Sequence, residues 1–574
     1  MRTRLQDFSF IDKLLGLIER QRPSDRLFLR LLFFAIIASG IYLILSLNQQ
    51  YSVLAPASGG TLVEGMIGMP RFVNPALAIT RADQDTVALL YSGLMKIDPE
   101  GNLVNNIAES VNVSEDGLTY NIKVRKDQSF NDGTPLTAKD VVFTMELVKN
   151  PELRSPLRGN WNDVSIEQLN EYELNVVLKE PYSPFIENFT LGIMPAHIWS
   201  NLPVEQIPFS KHNTEPVGSG PFSVDNIERN SSGLIVGYDL IPIKEMKLEG
   251  VELKYYQNEE ELVKAFKNKE INASAFLPTS EIVNLDKDDI QIISEPVPKV
   301  FGVFFNQNRS PALRDKNARE ALNIAIDRDK IVNEVLGGYG VPTKEAVLIH
   351  QNGIESNDTN LTNSSTSSLS IAHDLLVKGG WTQNAAGFWE KEIDKSKETL
   401  SVTIKTSNST LFDKTATLIA EDWRKLGVDV QVEQYEQSGL VESVIRTRDF
   451  QALLFGLDMN RTEDLYPFWH SSQKDDPGLN ISQYTNINVD RSLEKIRISK
   501  DENEKQNAVT EINKTITQEI PAIFLFTPNM IYVIDKDITV AEMTKLDRPS
   551  DRFMNISNWY ANTESLWPIF GKNN

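Results

Sequence analysis

Residues Phe412–Gln434 read FDKTATLIAEDWRKLGVDVQVEQ. Phe412, Ala416, Ile419, Ala420, Trp423 and Leu426 recur at the three- and four-residue spacing that lines one face of a helix. Gly427 follows, the residue type that most readily takes the left-handed conformation closing a helix. Val428, Val430 and Val432 then alternate with polar residues, as in a strand with one buried face. A helix, a glycine stop and a strand in direct succession form a piece of a layered α/β structure, with helices packed on a sheet. Trp423 lies on the apolar face and reads as core.

The alternation of periods continues in both directions. Asp315 reads as the cap of a helix carrying Ala318, Ala321, Leu322, Ala325 and Ile326. Asp327 caps the next, Arg328 to Leu336, which stops at Gly337-Gly338. Both aspartates fit caps better than catalytic carboxylates. Thr137 to Asp140 reads as a capping box opening a helix over Lys139 to Lys149, and Asn258 with Glu261 caps another before Leu262, Val263 and Phe266. Leu174, Val176 and Leu178 alternate as in a half-buried strand. Glu355 to Ser370 (ESNDTNLTNSSTSSLS) has too little apolar content for core and is expected to be an exposed loop.

At 574 residues the chain exceeds one compact core, so two or more lobes are expected. Its 41% apolar and 24% charged content is that of an ordinary folded protein. A net charge of −21 argues against nucleic-acid partners, because a phosphate backbone would repel so acidic a surface. The absence of cysteine excludes disulfides, thiolate metal sites, cysteine nucleophiles and a thioether-linked lipid. His197, His212, His350, His373 and His470 never share a helical face, which speaks against a histidine-based metal site. No nucleophile elbow, phosphate loop, H-E-x-x-H or dinucleotide fingerprint occurs. The glycine cluster Pro216-Val217-Gly218-Ser219-Gly220-Pro221 lacks the lysine of a phosphate loop, and its prolines block the helix start such a loop needs. It reads as a rigid bend. The expectation is a binding protein, with no catalytic residues, no metal and no cofactor.

Near the amino terminus, Leu31 to Leu47 (LLFFAIIASGIYLILSL) is an uncharged apolar run close to the thickness of a bilayer core. Arg2, Arg4, Lys13, Arg20, Arg22, Arg26 and Arg30 precede it, which places residues 1–30 in the cytoplasm and the chain after Gln49 outside. A cleaved leader ending near Ala55-Pro56-Ala57 is the alternative to a membrane anchor, and both put the folded part outside the cytoplasm.

Several blocks, in order, resemble the solute-binding proteins of peptide and nickel ABC importers (family 5, oligopeptide- and dipeptide-binding). They are Gly59-Gly60-Thr61-Leu62, Val73-Asn74-Pro75, Tyr91-Ser92-Gly93-Leu94, Ile107 to Asp140, Pro216 to Phe222, Phe305-Asn306 with Arg314 to Arg328, Asp449 to Trp469, and Ile520 to Pro528. The resemblance spans residues 59–574. It implies an α/β, two-lobed periplasmic-binding-protein fold of type II with an extra inserted domain, here preceded by one transmembrane helix. The organisation it implies is a cytoplasmic segment 1–30, an anchor 31–47 and a linker 48–58. Residues 59–92, 196–298 and 531–574 would form lobe I, 93–195 the inserted domain and 299–530 lobe II.

The resemblance further implies capture of an oligopeptide or similar solute between the lobes and delivery to an ABC permease with its ATPase subunits. The anchored protein would face outward from the cell membrane in a single pass. A sensory or scaffolding role on the same fold is the alternative. Candidate solute contacts are Asn306, Asp458, Asn460, Arg461 and Trp469, with core packing an equal reading for Trp469 and a solvated surface role a competing one for Arg461. In peptide-specific relatives an aspartate after the late strand pairs with the peptide amine. Asn460 stands nearest to that position here, two residues past Asp458. Asn131 likewise replaces the histidine usual before Asp-Gly in that family block.

Overall fold

The computed structural model describes residues 22–51, 53–346, 365–459, 464–499, 501–541, 543 and 546–566. They belong to two compact units, one made of Met1–Gly59 with Tyr560–Asn574 and the other of Gly60–Trp559. In the first, helix α1 (Pro23–Tyr51) leads into strand β1 (Val53–Ala57). This strand, expected as linker, pairs antiparallel with the carboxy-terminal strand Asn562–Leu566, from Val53↔Leu566 to Ala57↔Asn562. Leu31, Phe33, Phe34, Ile36 and Tyr42 of α1 are all exposed, so apolar groups ring the helix instead of forming one buried stripe. Among the described residues, no helix is long and apolar enough to cross a membrane. The expected span 31–47 includes residues 44, 45 and 47, whose side chains lie outside those described.

The second unit is built on two sheets. The first holds β2 (Thr61–Ile67), β3 (Phe222–Arg229), β4 (Ile235–Pro242), β5 (Gly250–Tyr256), β6 (Ala273–Ser274) and β7 (Ile290–Pro296). Strands β5 and β2 run parallel, Gly250 opposite Thr61 through Tyr256 opposite Ile67, and β6 joins β2 on its other side. Helix α2 (Arg81–Leu90) belongs to this region. Residues 93–195 supply most of a further core, shared with Ala76, Leu77, Trp199 and Ile207, around a four-stranded antiparallel sheet in the order Ala108–Val113, Thr119–Val124, Glu173–Leu178, Val164–Asn170, with helix α3 (Ala138–Lys149) packed on it. The capping box that opens α3 forms as read: the Asp140 carboxylate accepts the Thr137 backbone N–H at 3.0 Å.

The second sheet contains β8 (Lys299–Phe305), β9 (Ser401–Ser407), β10 (Asp429–Tyr435), β11 (Ala452–Asp458) and part of β12 (Ala522–Asp535), in the order β10-β9-β11-β8-β12. Successive side chains of β8 point to opposite faces, as a pleat demands. Val303 and Phe305 join one core with helices α4 (Lys316–Ala325), α5 (Arg328–Leu336) and α6 (Thr410–Lys425). Val300 and Phe304 join the other, together with helix α7 (Ile487–Ile498). The β9–α6–β10 crossover is the unit on which the sequence reading rested, and Gly427 adopts φ +90° where the helix stops. Trp423 is fully buried and donates to the Leu322 carbonyl at 2.9 Å, a core role. The caps at Asn258, Asp315 and Asp327 all accept helix N–H groups.

One stretch departs from its expected form. Within Glu355–Ser370, residues 355–364 lie outside those described, but Ser365–Lys378 is a helix. The cause is downstream: Ala372 and Leu376, four apart, bury completely and carry the polar first turn with them.

The bend at 216–221 packs directly against the end of α2. A Cβ on Gly218 would stand 1.8 Å from the Leu90 carbonyl oxygen, and one on Gly220 2.4 Å from the Leu90 carbonyl carbon. The Gly220 N–H donates to the same Leu90 oxygen at 2.9 Å, and the Gly218 carbonyl accepts the Asn131 N–H at 2.9 Å. Gly218→Ala is therefore expected to lower stability by about 1–3 kcal/mol, read as a fall in thermal midpoint, because backbone must shift to admit the methyl group. Gly159→Ala, with nothing within 4 Å of the added carbon, is the matched control expected to leave the midpoint unchanged.

Candidate functional site

Two stretches of chain carry the first sheet into the second. Strand β7 ends at Pro296 and β8 begins at Lys299, so Val297-Pro298 makes one crossing. The other is β12, whose residues 522–526 pair with β8 and whose residues 529–535 pair with β7. The crossings lie side by side: the Val297 N–H donates to the Pro528 carbonyl at 3.2 Å. Pro296, Pro298 and Pro528 lack the N–H that a ladder would use, and between its two partners β12 pairs through residues 526–528 with the short strand Gly340–Pro342.

Asp458 sits at this neck. It ends β11 opposite Lys299, and the two side chains form a half-exposed ion pair at 2.9 Å. Such a pair contributes little to folding in water. The following residues Asn460 and Arg461 lie outside those described.

Asn306 is elsewhere. The β8–β11 ladder runs from Lys299↔Asp458 to Phe305↔Ala452, which puts Asn306 roughly 20 Å along the strand from Asp458. It is 1% exposed; its side-chain amide donates to the Arg448 carbonyl at 2.8 Å and accepts the Asn308 N–H at 3.1 Å. Both ends of the amide are committed to a turn. Trp469 is also 1% exposed and packs among Phe304, Tyr484 and Phe524, with centroid separations of 5.9–6.2 Å. Of its two readings the structure selects core. Of the three candidates among the described residues, Asp458 alone is at the neck and open to solvent.

A polar cluster that the sequence reading passed over joins residues 93–195 to the second sheet's body. Asp464 is buried, and its Oδ2 accepts the Tyr182 hydroxyl at 3.0 Å and Arg497 Nη2 at 2.7 Å. Its Oδ1 accepts the Tyr466 N–H at 3.1 Å. The Arg497 guanidinium lies 3.8 Å from the Tyr466 ring centroid and 5.1 Å from that of Tyr182. Burial, and then the neighbouring Asp464 charge, push the Tyr182 hydroxyl well above its ordinary pKa, so it stays protonated and donates throughout the physiological range. The available signal was the Glu463-Asp464 pair, which resembles any other pair in a chain with 79 carboxylates. Among the described residues no group of three or more His, Asp or Glu could hold a metal ion.

A model of the family described as bacterial extracellular solute-binding proteins, family 5 middle, matches residues 102–478. The chain is 27% identical to the oligopeptide-binding protein AppA of Bacillus subtilis (strain 168) over 525 residues, 89% of this chain and 94% of that protein. The structure of AppA from Bacillus subtilis in complex with a nonapeptide superposes at TM-score 0.64 and 26% identity, covering 88% of this chain and 99% of that one. NikZ from Campylobacter jejuni, solved with Ni(L-His), shares the fold at TM-score 0.64 and 24% identity, over 87% of this chain and 99% of NikZ. The mixed α/β, two-lobed fold is common to all of these.

Proposed function

Because the chain belongs to the bacterial extracellular solute-binding proteins of family 5, we propose that it captures an oligopeptide or similar solute between two lobes and delivers it to an ABC permease. The observation that carries this reading is the neck. Two bodies, each with its own core, are joined by Val297-Pro298 and by β12, whose ladder passes from β8 to β7 between residues 526 and 529, and the lobes rotate about these two stretches in this reading. Lobe I comprises 59–92, 196–298 and 531–559, with 93–195 inserted, and lobe II comprises 299–530.

Solute bound between the lobes shifts the open–closed equilibrium by its preference for the closed form. Asp458, at the neck, and the segment holding Asn460 and Arg461 are the solute-facing groups of lobe II in this reading. With Asn460 nearest to the position where peptide-specific relatives carry an aspartate, a peptide amine would share the Asp458 carboxylate with Lys299. The protein acts by binding and makes or breaks no bond; ATPase subunits associated with the permease supply the energy. Helix α1 is the anchor in the membrane in this reading, with the chain that follows it outside the cytoplasm. Its ring of exposed apolar groups from Leu27 to Leu43 supports that reading.

The test is a thermal-shift screen of the detergent-solubilised full chain against pools of synthetic peptides and nickel chelates. A solute at about a hundred times its Kd is expected to add about 2.7 kcal/mol of stability. A midpoint unmoved by every pool overturns the capture reading.

A further inference from the structure

We infer that Tyr182 is a positioning residue for solute capture: its hydroxyl, held by Asp464 beside Arg497, clasps the inserted domain to lobe II and limits how far the halves part. This rests on the capture reading above, and it names a contact that the neck by itself does not require. Tyr182 and Asp464 are 282 residues apart in the chain and meet at 3.0 Å. Next to them the Ser183 hydroxyl reaches the Ile496 carbonyl, at 3.5 Å.

The chemistry suits a contact that must open and close. On lobe II, Asp464 and Arg497 already satisfy each other through three N–H···O contacts of 2.7 to 3.3 Å, and Arg497 stacks on Tyr466. When the halves separate, that pair stays intact and no charge is left alone in a dry site. What is lost is one neutral hydroxyl donating to a carboxylate, together with the edge of the Tyr182 ring near the guanidinium. The hydroxyl regains water. A hydrogen bond to a charged acceptor, exchanged for water in this way, is worth about a tenfold change in an equilibrium. That is enough to bias the lobe angle and too little to lock it.

The experiment uses the full chain in detergent. Because the protein has no cysteine, the pair Glu167→Cys and Lys414→Cys, on exposed positions of the inserted domain and lobe II, accepts spin labels uniquely. Interlabel distances are compared with and without Tyr182→Phe, which removes only the hydroxyl. The expected result is a distribution shifted to longer distance in the variant, with binding of a pool of octa- to decapeptides weakened about tenfold and the thermal midpoint held within a degree or so. A distribution unchanged by Tyr182→Phe overturns the clasp. So does a fall in midpoint with no change in distance, which is the mark of a merely structural tyrosine. The distance measurement needs no solute, so failure of the parent protein to bind any peptide counts against the capture reading and leaves the clasp to be judged by distance alone.

Discussion

Arg552→Met is expected to cost about 3–5 kcal/mol of folding stability at neutral pH. Arg552 comes from the 3-10 turn Pro549–Phe553, and its side chain is fully buried between two equally buried carboxylates, Glu64 of β2 and Asp85 of α2. Nη2 donates to both, at 2.8 Å each, while the Tyr532 hydroxyl of β12 donates to the other oxygen of Glu64 at 2.8 Å. Two early segments and two late ones, more than 460 residues on, are thus pinned in one buried network. Methionine fills similar volume, so packing survives and the cost is that of two buried carboxylates losing the cation bonded to both, with the Arg81 guanidinium remaining nearby.

The pH dependence of that cost has a definite sign. Burial pushes the Glu64 carboxyl above its ordinary value, more than Arg552 and Tyr532 pull it down. A carboxyl whose folded pKa is raised favours folding below its unfolded pKa and loses that contribution as pH rises through the folded value. Without Arg552 the downward pull vanishes and the folded value rises further. The deficit of the variant is therefore largest near pH 7 and shrinks as the pH falls toward 5. Urea denaturation of both proteins across that range measures it. A deficit independent of pH would show that lost packing, not charge, is responsible.

Trp469→Ala is expected to cost a similar 3–5 kcal/mol, and Trp469→Phe little, under about 1.5 kcal/mol. The indole fills the core below the second sheet among Phe304, Tyr484 and Phe524, and its Nε1 donates to nothing, so phenylalanine forfeits volume but no hydrogen bond. Both variants are read by urea denaturation, and solute affinity of the phenylalanine variant should match that of the parent protein. If the alanine variant kept its stability and lost solute binding, Trp469 would belong to the site and its assignment to the core would fail.

Local pattern carried most of the architecture. The apolar face of α6, the Gly427 stop and the alternating valines of β10 were readable because each depends on neighbours within one or two turns of chain. The caps at Asp315, Asp327 and Asn258 were readable for the same reason. Where the pattern misled, the deciding contact was further off. The serine-rich start of Ser365–Lys378 looked like loop until Ala372 and Leu376 found a core to enter. Asn306 looked like a binding group because it stands in a recognisable block, but the Arg448 carbonyl that claims its amide is 142 residues away.

The α/β class was thus determined by the sequence itself, since periodicity, caps and glycine stops are properties of short stretches of chain, while the family followed from the resemblance of its ordered blocks. Only the tertiary structure decided that Trp469 is core, that Val53–Ala57 pairs with the carboxy-terminal strand, and that Glu64, Asp85 and Arg552 share one buried site. The physical reason is that burial and charge pairing are set by whatever the rest of the chain brings alongside. No local pattern tells a carboxylate destined for water from one destined for a guanidinium several hundred residues later.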